Sequence, residues 1–335
     1  MSKRVTLDDV ASAAGVSRAT ASRALTGSGP ASALARQRVE AAAESLGFTP
    51  HQAARALASS RAQAVALVIP EANSLVLADP FLAGIITGVS EAFHTTDYQL
   101  ILVCVRPDDA PTKALRLLAS SYVDGVIVAS HHRTGSLEAA IEDSPAPLVY
   151  VGRPWLDDRA MYVDVDNRAG ATLAARRLLD RGARRIACVA GPEDMTPVGD
   201  RLDGWTGTLR QAGVEPGPVA HETFTTAGGA AAMTRVLDVR PDIDGVFAQS
   251  DLLAAGAIRV LQQRGRVIGR DVFVVGFDDS EVARTTTPAL TSVTNPPAEL
   301  ALRASRMLLR VLGGVSPSDV TPEIISPSLV VRESA

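Results

Sequence analysis

Two arginines and several hydroxyls crowd the start of this chain. Arg18, Ala19, Thr20, Ser22 and Arg23 fall within residues 18–23, with Thr6 and Ser17 just before them. Such groups suit hydrogen bonding to nucleic acid. An arginine fork can take both acceptors of a guanine, worth about 1–3 kcal/mol of discrimination, and Ala19 can offer a small apolar surface to a thymine methyl. A phosphate contact suits Arg18 equally well, because many such bonds go to the backbone. Thr6, Ser17, Ser22 and Arg23 read as positioning groups.

The elements that hold these residues are legible around them. In VTLDDVASAAGVSRATASRAL (5–25), Thr6 is a good N-cap, and Asp8 and Asp9 stand where the helix dipole favours negative charge. Leu7, Val10, Ala11 and Ala14 recur at helical spacing. Gly15 can take positive φ, Val16 is an apolar plug, and Ser17 starts a second helix with Ala21, Ala24 and Leu25 inward. This is helix-turn-helix spacing, with the second helix as the major-groove reader. An ordinary helical hairpin with solvated arginines fits the same residues. A loop (26–32) leads to a third helix (33–46) with Leu34, Val39, Ala42, Ala43 and Leu46 inward. Gly47 ends it, and Phe48 anchors the small core. Thr49-Pro50 marks a break; HQAARALAS (51–59) then reads as a short helix, followed by a linker.

Charge is unevenly spread. Residues 1–62 carry eight Lys/Arg against four acids, a local +4 in a chain whose total is −4. A basic arm on an acidic body fits local contact with DNA. Cys104 and Cys188 each sit in an apolar run and read as buried strand residues, not as a disulfide. With no run resembling a signal peptide and none near ~20 apolar residues, a cytoplasmic protein without membrane contact is expected. Walker A, G-x-S-x-G, H-E-x-x-H and paired C-x-x-C patterns are lacking, which argues against an enzyme. No cofactor or metal is implied. His131-His132 lacks further metal ligands and reads as surface or cleft polarity.

From residue 64 onward, apolar runs alternate with helical patterns. The runs are VALVIP (65–70), QLILVCV (99–105), VDGVIVAS (123–130), PLVYVG (147–152), RRIACVAG (184–191), DGVFAQS (244–250) and DVFVVGFDD (271–279). Unalternated strands between helices mean parallel sheets covered on both faces. Seven are too many for one compact sheet, so two doubly wound lobes are expected, with ligand in the crevice at the strands' carboxyl ends.

Several motifs in order carry a family resemblance: TLDDVASAAGVSRATASRAL, LGFTPHQAARAL, DVDNRAGATLAARRLLDRGARRIACVAG, DRLDGW, DLLAAGAIRVL, and VVGFDD followed by PALTSV. The chain resembles the LacI/GalR family of ligand-responsive bacterial transcription regulators over nearly its full length. The resemblance implies an all-α helix-turn-helix DNA-binding domain (1–50), a hinge helix and linker (51–63), and a core like a type I periplasmic binding protein (64–335). The first lobe would span about 64–165 and 296–324, the second about 166–295 and 325–335. It implies a homodimer or homotetramer on a near-palindromic double-stranded operator, with Arg18, Ala19 and Thr20 setting operator preference. Leu57 would wedge into the minor groove at the operator centre, where unstacking costs a few kcal/mol per step.

The resemblance also places an effector between the lobes. Arg201 and Asp278 match the principal polar contacts, Phe81 and Leu82 the first-lobe edge, and Phe224 a covering aromatic. Ser250, which stands where many relatives have Asn, and Asp251 after it are further expected effector contacts, as is Met195. Met195 and Pro197 replace polar groups of purine-responsive relatives, which argues against a purine. A repressor answering to a sugar or sugar derivative is the default reading. A nucleoside or other metabolite acting as co-repressor, or a solute-binding protein, are the alternatives.

Overall fold

The computed structural model describes residues 5–26, 29–48, 62–106, 122–133, 144–155 and 160–335. The chain forms two compact units, a helical one within its first 64 residues and an α/β body.

The helical unit holds α1 (Leu7–Ala14), α2 (Arg18–Thr26) and α3 (Ala33–Leu46). Thr6 caps α1 in a reciprocal box with Asp9, and Gly15 closes it in the left-handed region at φ 64°. Ser17 lies just outside α2 and caps it, its hydroxyl accepting from the Thr20 amide at 3.1 Å. Val10, Ala11, Ala14, Ala21, Ala24, Val39, Ala42 and Ala43 form the core, with Phe48 packed against it. Leu34 and Leu46, expected inside, are exposed. The buried face of α3 is limited to Val39, Ala42 and Ala43.

In the body, β1 (Ala64–Ile69) is followed by α4 (Asn73–Ala78), α5 (Pro80–Phe93), β2 (Gln99–Cys104), β3 (Gly125–Ala129), β4 (Leu148–Val151) and β5 (Met161–Val165). Then come α6 (Asn167–Asp180), β6 (Ile186–Ala190), α7 (Thr196–Gln211), β7 (Val219–His221), α8 (Thr226–Val239), β8 (Gly245–Ala248) and α9 (Asp251–Gln263). The chain ends through β9 (Phe273–Asp278), α10 (Glu281–Thr285), β10 (Thr291–Thr294), α11 (Pro297–Leu312), β11 (Glu323–Ile325) and β12 (Leu329–Val330).

Two six-stranded sheets result, ordered β11-β5-β4-β3-β1-β2 and β12-β10-β9-β8-β6-β7. Strands such as β1, β3 and β6 are buried at every residue, as uninterrupted apolar runs between helical layers must be. β12 alone pairs antiparallel among the described pairings, at the edge of the second sheet. The chain passes between sheets three times, after β5, after β10 and after β11. Cys188 is buried, but Cys104 is only half-buried, because β2 is an edge strand.

The layers place the site. α11 packs on the first lobe's core through Leu300, Ala301, Ala304, Met307 and Leu308. Gly88 lets α5 approach it: a Cβ there would lie 2.3 Å from the Ala298 carbonyl oxygen. That contact fixes the middle of α5 against the start of α11. No described helix is long and apolar enough to cross a membrane.

Candidate functional site

In the helical unit the candidate DNA-contacting groups share the outer side. Thr6, Ser17, Arg18 and Ala19 are exposed; Thr20, Ser22 and Arg23 are half-buried. Arg18 lies 3.5 Å from Asp8 with both side chains largely in solvent. Such an exposed pair is worth little, so the guanidinium is free to exchange Asp8 for a nucleic-acid acceptor. Arg23 is held differently: its Nε donates to the Ala19 carbonyl at 3.2 Å. That bond pins its stem along α2, which suits a positioning contact. Leu57 lies outside the described residues.

In the body, a cleft opens between the lobes. Asp79, Phe81, Leu82, Ser130, His131 and Asp164 line it from the first lobe, and Met195, Arg201, Phe224, Ser250 and Asp278 from the second. It adjoins a second hollow that shares Phe81, Asp278 and Asn295.

Arg201 projects from α7 and is buried. Its Nε donates to Asn167 Oδ1 at 2.8 Å and one terminal nitrogen to the Gln249 carbonyl at 2.5 Å. The guanidinium lies 3.7 Å from the centroid of the Phe277 ring. Among the described residues its second terminal nitrogen has no hydrogen-bond partner. Burial lowers the Arg201 pKa, while Asp278 and Asp164 favour the cation. Arginine nonetheless stays charged.

Asp278 ends β9 with φ 108°, a conformation that L residues rarely adopt. Strain of this kind costs about 1–3 kcal/mol and clusters at ligand sites. Asn295 Nδ2 donates to one Asp278 oxygen at 2.9 Å, leaving Asn295 Oδ1 buried without a partner. Burial raises the Asp278 pKa well above 3.8, against the pull of Arg201.

Two further carboxyls share the cleft. Asp79 caps α5, accepting from the Phe81 amide at 2.9 Å, and burial raises its pKa to about 6. Asp164, next to last in β5, accepts from the Arg153 and Val165 amides and from Asn167, and is likewise raised by burial to about 6. One arginine therefore faces three carboxyls, an acidic lining that repels anions and attracts hydroxyl donors.

Phe224 presses on Gly191, where a Cβ would lie 2.1 Å from its ring, so only glycine admits the aromatic at this wall. At the cleft's edge the lobes are bridged. His132 lies 3.0 Å from Asp194 and 2.9 Å from Glu71, Trp155 Nε1 donates to the Asp194 carbonyl, and Arg153 pairs with Asp200 at 2.7 Å.

Comparison with known proteins places this arrangement. A family model described as bacterial regulatory proteins, lacI family, matches residues 6–51, and one for a periplasmic binding protein-like domain matches residues 175–335. The transcriptional regulator CelR of Thermobifida fusca is 40% identical over 336 residues, covering 99% of this chain and 98% of CelR. The chain belongs to the LacI family of bacterial transcriptional regulators. The repressor CytR of Escherichia coli K12 is 30% identical over 92% of this chain and 90% of its own. A solved CelR–cellobiose complex superposes with a TM-score of 0.78 at 38% identity, covering 99% of this chain and all of that one. The Lac repressor dimer bound to operator and an anti-inducer gives 0.84 at 24% identity over 99% of each chain, a likeness of fold.

As a LacI-family member, the chain is a DNA-binding transcriptional regulator whose relatives are regulators, not enzymes. Of the eight effector candidates, the structure brings Phe81, Leu82, Met195, Arg201, Phe224, Ser250 and Asp278 to one cleft. Leu82 is also fully buried core, and Ser250 caps α9 through the Leu253 amide. Asp251 is not among the lining residues. It is fully buried, and its carboxylate accepts from Ser292 Oγ at 2.6 Å and from the Ser280 amide and hydroxyl at 2.7 and 2.9 Å. It ties α9 to the strands beside it.

Sequence reasoning gave no site role to Asp79, Asp164 and Asn295, and read His131 only as surface or cleft polarity. Asp79-Pro80 carried a readable signal, an N-cap followed by proline at the first helical position. The others converge from separate strand ends and had no local pattern to betray them.

Proposed function

We propose that this LacI-family regulator is a repressor that binds a near-palindromic operator as a homodimer, and that a neutral sugar held between the lobes sets its affinity for DNA. A β-linked glucose disaccharide of the cellobiose type is the candidate effector. The observation that carries this reading is that buried Arg201 and half-buried Asp278 line one cleft together with further carboxyls and Phe224. Arg201 offers a donor, Asp278 and Asp79 offer acceptors to adjacent hydroxyls, and Phe224 offers an apolar face to a ring. The excess of carboxyls disfavours a sugar phosphate. Two adjoining hollows sharing Phe81 and Asp278 give room for two rings. The solved CelR–cellobiose complex supports the same class at 38% identity.

Control follows from linkage. A sugar touching both walls favours one lobe arrangement over others, and only that differential affinity can alter DNA binding. The resemblance carries the change to the operator through the hinge and Leu57. Selection of duplexes from a random pool with the intact protein, then fluorescence anisotropy with and without cellobiose, tests this. An operator affinity that shifts tenfold or more with cellobiose supports the reading. An affinity indifferent to every neutral sugar tried contradicts it.

A further inference from the structure

His131 follows β3 on the first-lobe wall and lines the cleft at 8% exposure. Its Nε2 lies 2.9 Å from the Arg153 carbonyl oxygen, which can only accept, so Nε2 carries the proton. Nδ1 is then a lone-pair acceptor. It is buried and has no hydrogen-bond partner among the described residues. A buried polar atom left unpaired costs about 1–3 kcal/mol, so it marks a place where a partner is missing.

The ring is built into position. Tyr150 meets it edge-on, with centroids 5.3 Å apart. Gly152, at φ 97°, leaves room beneath it: a Cβ there would lie 3.3 Å from the imidazole Cε1. Burial lowers the His131 pKa to about 4, and the neighbouring His132 and Arg153 charges push the same way. The ring is neutral at pH 7. On the lining as well, Asn295 Oδ1 is a second buried acceptor without a partner. Two orphan acceptors ask for a ligand with several hydroxyl donors.

We propose that His131 is a specificity-determining residue of the effector cleft, its Nδ1 accepting a hydrogen bond from a hydroxyl of a neutral polyol on the wall opposite Arg201 and Asp278. This rests on the reading of the cleft as a sugar site and assigns that site a first-lobe acceptor.

The test separates the two nitrogens. In His131→Asn the amide oxygen reaches the Nδ1 position, and in His131→Gln the amide nitrogen reaches the Nε2 position and the acceptor is withdrawn. The Arg153 carbonyl also accepts from Thr196 Oγ1 at 2.5 Å, so it keeps a partner in either variant. Calorimetric titration of the intact chain with cellobiose, and separately with adenosine, reads the affinity. Binding of cellobiose that falls tenfold or more in His131→Gln and stays within threefold in His131→Asn supports the assignment. Equal loss in both variants, or no loss in His131→Gln, overturns it. Adenosine binding in place of cellobiose with the same ordering keeps His131 and removes the disaccharide; failure of both ligands to bind the wild type removes both. The nitrogen-15 spectrum of the wild-type chain is an independent reading, and a protonated Nδ1 at pH 7 overturns the assignment.

Discussion

His132 of the first lobe and Asp194 of the second meet at 3.0 Å across the edge of the cleft. The other ring nitrogen of His132 lies 2.9 Å from Glu71 Oε1, itself fixed by a bond from Ser130 Oγ at 2.8 Å. Both nitrogens face carboxylates, and only the imidazolium can donate from both. Burial of His132 opposes its charge, but Glu71 and Asp194 outweigh burial and raise its pKa above 6.5. The bridge between lobes therefore depends on a proton.

The pH dependence has a definite sign. A histidine whose folded pKa is raised contributes stability that is fully present below 6.5 and is lost as pH rises through the raised value. Asp79 and Asp164 also titrate near pH 6, so the difference from a variant isolates the bridge. Melting temperature against pH for the wild type and His132→Gln should converge toward alkaline pH, with the wild type more stable at pH 6. Parallel curves would remove the ion pair as a source of closure.

Asp251 should act on stability and not on ligand recognition. Its carboxylate takes three hydrogen bonds from Ser280 and Ser292, and replacing it with alanine withdraws all three. Asp251→Ala should lose about 2–4 kcal/mol in urea unfolding. In whatever fraction folds, sugar affinity should stay within a few-fold. A stable variant that has lost the ligand would return Asp251 to the site.

Arg201 joins both roles. Its charge favours the ionised forms of Asp278 and Asp164 while it bonds Asn167 and the Gln249 carbonyl. Arg201→Met should cost about 3–5 kcal/mol, because removing one partner strands a buried charge. The raised pKa of Asp278 lets it protonate in response, which moderates that figure at low pH. Urea midpoints at pH 5 and 8 check this, and a larger loss at pH 5 would contradict it.

Arg18 should matter only to DNA. Its pairing with Asp8 is largely exposed, so Arg18→Ala should leave the melting temperature within a degree or two. Selected duplexes should bind about tenfold or more weakly. If the contact is to phosphate, the slope of log affinity against log salt falls by about one; if it is to guanine, one base position loses its preference.

Sequence and structure agree most where the physics is local. Thr6, Gly15 and Ser17 declared their caps and turn by residue type, and uninterrupted runs such as VALVIP declared buried strands. β5, with an aspartate inside it, and the short β7, β10, β11 and β12 passed below that signal. At the site, Arg201 and Asp278 were legible because long motifs surround them. Asp79, Asp164 and Asn295 were not, and His131 was legible only as surface or cleft polarity, because three strand ends and a helix cap bring the four together only in three dimensions. Asp251 sits in a motif beside Ser250, yet burial by residues some thirty to forty positions away decides its role.

The central claim is that a neutral sugar binds between Asp278 and the opposite wall. Isothermal titration of cellobiose into the intact protein, beside Asp278→Asn, tests it most directly. Saturable binding at one sugar per chain in the wild type, weakened by at least thirtyfold in the variant, is the result expected. Equal affinity in both proteins, or no heat with the wild type at millimolar cellobiose, would contradict it.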